Sequence, residues 1–173
     1  MGSECRTAVN DEHPLQRALK DAYMSRGQLY VSFYRAIAKR YGGDVAKSIL
    51  KEAIYEWGAG LATGVAPCAP ANFAGLDDVF FNSPDGGEMF QPRIGKPGDQ
   101  GVDAHFLACP LKEAWIAAGL SDDEIAMFCD IASSADYGTL EAAGFDISIT
   151  TWTPGAEGCC ALKIRRRADG SVR

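Results

Sequence analysis

Eleven of the 38 positions from 63 to 100 are glycine or proline: Gly64, Pro67, Pro70, Gly75, Pro84, Gly86, Gly87, Pro92, Gly95, Pro97 and Gly98. Proline removes a backbone donor and glycine adds chain entropy, so no long helix or strand survives such a density. The segment therefore confines regular structure to its two flanks. A connection of this length is uncommon inside a compact domain unless it serves a purpose. Its apolar residues Phe73, Val79, Phe80, Phe81, Met89 and Phe90 argue against plain disorder, which lacks such anchors. The expectation is a loop draped over a pocket, with a short strand at Asp78–Phe81 or Met89–Ile94. Gly86-Gly87 is no phosphate loop, because it follows Asn-Ser-Pro-Asp and opens no helix.

The N-terminal flank reads as helical. Residues 1–13 are polar and read as frayed, with His13 exposed, and Pro14 suits the first position of a helix. From Gln28 to Tyr41, the residues Tyr30, Phe33, Tyr34, Ile37, Ala38 and Tyr41 recur at the spacing of one helical face. Gly42-Gly43 breaks that helix and Asp44 is placed to cap the next. The second helix carries Val45, Ile49, Leu50, Ala53, Ile54, Trp57 and Leu61. Joined by a tight turn, the two predict an antiparallel pair, with their aromatic residues serving as core.

The C-terminal flank, 102–164, alternates strand and helix and holds four of the six cysteines, Cys109, Cys129, Cys159 and Cys160. Residues 102–109 alternate as a strand, with Asp103, His105, Leu107 and Cys109 on one face. Pro110 stops the ladder and opens a helix over Leu111–Ala118, closed by Gly119. Ser121 and Glu124 form a capping box, so a helix starts at Asp122 and carries Ile125, Phe128, Cys129 and Ala132 inward. Gly138 and Gly144 bracket a short helical turn. Phe145–Trp152 and Cys159–Arg166 then read as strands of a hairpin. Lys163 prefers water, which by parity puts Cys160 inside. The pattern as a whole predicts an α+β fold: a helical N-terminal half packed on a small antiparallel sheet, in a single domain spanning 1–173.

Charge removes several functions. A net charge of −6 and a pI near 4.9 speak against nucleic acid as a partner. No apolar run approaches the roughly 20 residues of a membrane helix, and the N-terminus shows no apolar signal core. The reading is cytoplasmic, with no membrane partner, and in that setting six cysteines are thiols, ligands or nucleophiles rather than a disulfide framework. The basic run Arg165-Arg166-Arg167, with Lys163 and Arg173, reads as a solvated strand end, with a clamp for a substrate carboxylate as its sharper alternative.

Two chemistries fit the cysteines. Cys109, Cys129 and Cys160 come from neighbouring elements and could hold zinc, with Asp130 or Asp136 adding oxygen, although the close C-x2-C pairs of zinc fingers are missing. Alternatively Cys109, just before a helix start, is a nucleophile whose thiolate the helix N–H groups stabilise. His105 lies about 13 Å along the strand, too far to be its base, so Asp136, Asp130 or a group on the 63–100 loop takes that role. The cofactor is therefore zinc or none.

The run from Phe106 to Cys109-Pro110, then Cys129 with Asp136 seven residues on, Gly144-Phe145, Gly155, and Gly158-Cys159-Cys160, resembles the L-2-amino-thiazoline-4-carboxylic acid hydrolase family. The resemblance extends loosely over residues 28–164. It implies hydrolytic opening of a small heterocycle, a cyclic amidine or lactam, at a C–N bond. It also implies Cys109, Cys129, Asp136 and Cys160 as site residues and a small molecule as partner, with a homo-oligomer left open. The long 63–100 loop departs from the family, as does Thr150-Thr151 where an arginine would be expected. The Gly-x-x-Gly-Cys-Cys of residues 155–160 is also similar to 4-vinyl reductase-type sensor domains, which would make the protein a non-catalytic small-molecule binder with a structural cysteine–zinc site. A structural subunit is the third option.

Overall fold

A computed structural model describes residues 14–167, so the expectations for residues 1–13 and for Arg173 lie outside the described residues. Two helices, α1 (Pro14–Tyr41) and α2 (Gly43–Ala59), open the chain. After the glycine- and proline-rich segment come β1 (Pro92–Ile94), β2 (Gly101–Phe106), α3 (Pro110–Ala117), α4 (Asp122–Ala132), α5 (Ser134–Ala143), β3 (Phe145–Thr150) and β4 (Ala161–Arg166). The strands form one antiparallel sheet in the order β1-β2-β4-β3. The fold is α+β, and no helix among the described residues is long and apolar enough to cross a membrane.

Two apolar clusters hold it together. In the helical cluster, Tyr30 and Val31 of α1, Leu50 and Ile54 of α2, Leu111 and Trp115 of α3 and Phe128 of α4 are buried together. In the sheet cluster, Val102, Ala104, Leu162 and Ile164 pack with Leu140 and Phe145, and Val65, Phe73, Leu76 and Phe81 come from the segment that sequence reads as loop. Burying a side chain of that size contributes about 1.5–3 kcal/mol, so the segment is a structural half of the second cluster rather than a cover laid over it. Its turns are irregular, with 3-10 turns at Ala62–Gly64 and Ala66–Cys68 and a π-helical turn at Asp77–Phe81. Of the two expected strands, the one near 89–94 forms, as β1.

Several local expectations shift for physical reasons. α1 runs unbroken through Gly27, which lets the backbone of α3 approach: a Cβ there would stand 3.2 Å from Leu111 Cα, and Trp115 Nε1 donates to Gly27 O at 2.9 Å. The buried row of α2 is Ala46, Leu50, Ile54 and Gly58, while Val45 and Ile49 face outward, as do Phe33 and Tyr41 of α1, and Trp57 and the following Leu61 are exposed where they border a cavity. The row ends in glycine because α5 crosses closely there. A Cβ on Gly58 would collide with the Ala135 carbonyl, and one on Gly138 with the Tyr55 carbonyl. Gly138 is therefore the middle of a ten-residue helix, not its bracket, and Gly144 ends the helix at φ 106°. The N-cap of α2 is Gly42 with no side-chain cap, so Asp44 only lies in the first turn. The capping box of α4 forms as read, with Ser121 N donating to Glu124 Oε2 at 2.9 Å.

Candidate functional site

A cavity of about 420 Å³ lies at the seam between the two clusters. That volume suits a small molecule. Apolar walls come from Val79, Phe80, Phe81 and Phe90 of the glycine- and proline-rich segment, with Phe106 from β2. Cys109, Cys129, Cys159, Cys160 and Asp136 also line it, so four separate elements or turns bring their thiols and one carboxyl to a single space.

Cys109 is the N-cap of α3. The strand ends at Phe106, which releases the parity expected through residue 109, and Cys109 turns toward the cavity with φ −155° and ψ 113°. Its sulfur is held below the usual thiol range. The Cys159 thiol donates to it first, the N–H groups of Lys112 and Leu111 add to the effect, and burial together with the Asp136 charge opposes it. Cys159 and Cys129 are both pushed up, Cys159 chiefly by its hydrogen bond with the Cys109 sulfur and Cys129 chiefly by its hydrogen bond with Cys159. The Gly158–Cys160 turn is tied to the same place, with Cys159 N donating to Phe106 O at 2.8 Å and Phe106 N to Cys160 O at 2.9 Å. Lys112 Nζ bonds to Gly158 O, and its ammonium lies 5.2 Å from the centre of the Trp152 ring.

The hairpin parity needs correction at its start. Leu162 and Ile164 are buried and Lys163 exposed, as the alternation requires, but β4 begins only at Ala161. The alternation does not reach the cysteines. Cys159 is the buried one and Cys160 is half-buried, their sulfurs 3.5 Å apart.

Asp136, on α5, sits with its carboxyl inside the cavity. Burial pushes it up to about 7, while the nearby Arg26 charge pulls the other way. The α2–α5 glycine crossing places it there, because Ala135 and Gly138 on either side are pressed against α2. Asp130, the rival acid, is on the outer surface and binds Lys47 at 2.8 Å and Lys51 at 3.0 Å. His105 packs against Gly158, where a Cβ would stand 2.8 Å from Nε2, and is not part of the cavity wall.

Sequence reasoning overlooked the cation. Arg165 pairs with Asp103 at 2.6 Å, and Arg167 bonds to Glu141 O and Phe145 O at 2.8 Å, so these two anchor strand ends rather than a ligand. The arginine in the cavity wall is Arg26 of α1. Its guanidinium lies 4.4 Å from the Tyr23 ring centre and 5.2 Å from that of Trp57, and its buried Nε has no hydrogen-bond partner. The spacing of Tyr23, Arg26 and Tyr30 at i, i+3 and i+7 puts all three on one helical face, the signal that could have revealed it.

Among the described residues, no three His, Cys, Asp or Glu groups are arranged to hold a metal ion, Cys109, Cys129 and Cys160 included. No curated protein and no solved structure matches the chain. The family model described as L-2-amino-thiazoline-4-carboxylic acid hydrolase matches residues 22–163, a span holding Arg26, Cys109, Asp136 and both hairpin cysteines. With most of its length matched, the chain belongs to the L-2-amino-thiazoline-4-carboxylic acid hydrolase family.

Proposed function

We propose that the protein is a small-molecule hydrolase that opens a heterocycle at its amidine or lactam carbon, with Cys109 as nucleophile and Asp136 as proton carrier. The observation that carries this reading is the Cys109 sulfur at the N-terminus of α3, accepting from Leu111 and Lys112 N–H in the same cavity as the Asp136 carboxyl. A thiolate is the nucleophilic form of cysteine, and an acid titrating near the working pH both gives and takes protons.

The steps balance without a further reactant besides water. The Cys109 thiolate adds to the ring carbon flanked by heteroatoms, the bond from that carbon to the ring nitrogen or sulfur breaks, and protonated Asp136 gives its proton to the leaving atom. Water then attacks the enzyme-bound carbon while the Asp136 carboxylate takes its proton, and Cys109 leaves as thiolate. For a 2-amino-thiazoline ring, the ring in the family description, a ureido product requires that the carbon–sulfur bond break, with Asp136 protonating the departing sulfur and the ring nitrogen staying on the carbon. Cys129 and Cys159, which keep their protons, serve as hydrogen-bonding partners rather than nucleophiles.

The test is turnover of 2-amino-thiazoline-4-carboxylate by the Cys109→Ala protein. Loss of a covalent nucleophile lowers kcat/KM on the order of a thousandfold or more with the circular dichroism spectrum unchanged. A variant that turns over at the wild-type rate would remove Cys109 from the chemistry.

A further inference from the structure

We infer that the outer face of the α1–α2 pair is an isologous interface, on which a second copy of this chain docks about a two-fold axis at Phe33. The inference stands apart from the hydrolase reading, because of the residues of this face only Trp57 lines the cavity.

Two apolar stripes make up the face. On α1, Leu29 and Phe33 stand one turn apart and are 50% and 54% exposed. On α2, Val45, Ile49 and Trp57 keep the same side of the helix and are 45%, 41% and 48% exposed. Contacts across the pair set the stripes side by side and antiparallel. Arg26 lies 5.2 Å from the Trp57 ring centre at one end, and a Cβ on Gly43 would stand 2.9 Å from Tyr34 Oη at the other. Half-open side chains of this size leave on the order of 100 Å² each, or roughly 500 Å² together. A standard interface buries about 800 Å² per partner, a little over half of it apolar, so the stripes supply the apolar share.

Charge decides what covers them. Lys39 and Arg40 mark the turn end of the face, Glu52 and Glu56 the opposite end, and none of the four has an ion pair or hydrogen bond among the described residues. Glu52 and Glu56 are one helical turn apart, where like charges repel. Glu56 adjoins Trp57 and is therefore level with Arg26, and Arg26 and Arg40 stand seven residues to either side of Phe33. A two-fold axis in the plane of the face at Phe33 thus turns the basic end of one copy onto the acidic end of the other. Anionic lipid or nucleic acid would instead meet the two glutamates on a chain of net charge −6. Residues 1–13 and 168–173 offer only Met1, Val9 and Val172 as larger apolar side chains, too few to cover five. Because Trp57 belongs to both the stripe and the cavity wall, pairing also braces that wall from outside.

Sedimentation velocity on the full chain tests the interface. The 18.5 kDa chain is expected to sediment as a dimer at micromolar concentration. Phe33→Asp sets a carboxylate beside its own symmetry copy, and is expected to weaken the dimer at least about a hundredfold with the circular dichroism spectrum unchanged. Arg40→Glu and Glu56→Arg, taken singly, are each expected to weaken it about tenfold, since symmetry repeats every reversed contact. Combined, the two reversals restore complementarity and bring the dissociation constant back to within about threefold of wild type. A wild-type chain still monomeric at about 100 µM overturns the inference. So does a dimer indifferent to Phe33→Asp, whose interface must lie elsewhere, and so does a double reversal no tighter than the single ones. If Phe33→Asp does not fold, the charge series at the exposed Arg40 and Glu56 decides alone. Catalytic turnover is not the readout, so the outcome leaves the hydrolytic reading where it stands.

Discussion

The helical cluster and the sheet cluster reach the cavity with different materials. From the helical side come Arg26, Cys109, Cys129 and Asp136, each on or at the end of a regular helix whose neighbours hold it in place. From the other side, the 63–100 segment supplies Val65, Val79, Phe80, Phe81 and Phe90, which are apolar and set on irregular turns. Reacting groups tolerate little displacement, because a misplacement of about 1 Å is enough to slow chemistry, whereas an apolar wall needs only area and shape. On the function proposed above, position-critical groups stand on rigid elements and ligand fit falls to the segment with the least regular backbone.

The largest effect expected from breaking this arrangement is at the α2–α5 crossing. Gly138→Ala drives a Cβ into the Tyr55 carbonyl, and backbone cannot yield as a side chain would. The loss is about 3 kcal/mol or more in a denaturant titration, with activity falling alongside as Asp136 is displaced. A stability close to wild type would show the crossing to be looser than these contacts imply. Next is Asp136→Asn, in which function and stability part. The folded carboxyl titrates at about 7 against an ordinary 3.8. The folded state therefore holds its proton to higher pH, and wild-type stability declines as pH rises from about 4 to 7. A tenfold change in acidity between the folded and unfolded chain corresponds to about 1.4 kcal/mol, and the buried amide of asparagine gives back part of the gain. Thermal unfolding should find Asp136→Asn more stable than wild type by about 2 kcal/mol at pH 8 and level with it below pH 4, while turnover drops on the order of a hundredfold. A stability gain independent of pH would mean that burial of charge is not its source. The smallest effect is at Asp130→Ala on the outer face. Its two lysine pairs are well exposed, worth at most about 1 kcal/mol, and no change in kcat is expected. A pronounced loss of turnover there would make Asp130 a rival acid again.

How far the sequence revealed this division follows from the range of each signal. The capping box at Ser121–Glu124, the strand after Gly144 and the helix after Cys109-Pro110 are local, written within a few residues, and all three form. The placement of Cys109 just before a helix start was legible for that reason. The α1 and α2 faces were misread because Phe33, Tyr41, Val45 and Ile49 keep helical spacing while pointing outward, so counting apolar residues cannot tell which stripe is covered. The covered stripe of α2 ends in Gly58, and helix-interior glycines such as Gly58 and Gly138 are better markers of close contact than of helix ends. Cys160 was placed by an alternation that begins only one residue after it, at Ala161. Arg26 and Asp136 lie far apart in sequence, and nothing local joins them. The 63–100 segment has no period at all, since its contacts are made by single anchors between turns.

Lys112 has a mechanical consequence. Its backbone N–H meets the Cys109 sulfur, while its side chain crosses to Gly158 O and lies beside the Trp152 ring. One residue thus rivets the first turn of α3 to the corner of the hairpin. Breathing of the hairpin carries the helix start with it, so the Cys109 and Cys159 sulfurs travel as a single rigid part instead of as two loose ends. The spacing between the two sulfurs is thereby buffered against motion elsewhere in the sheet, much as a gauge block keeps its length while the machine around it vibrates.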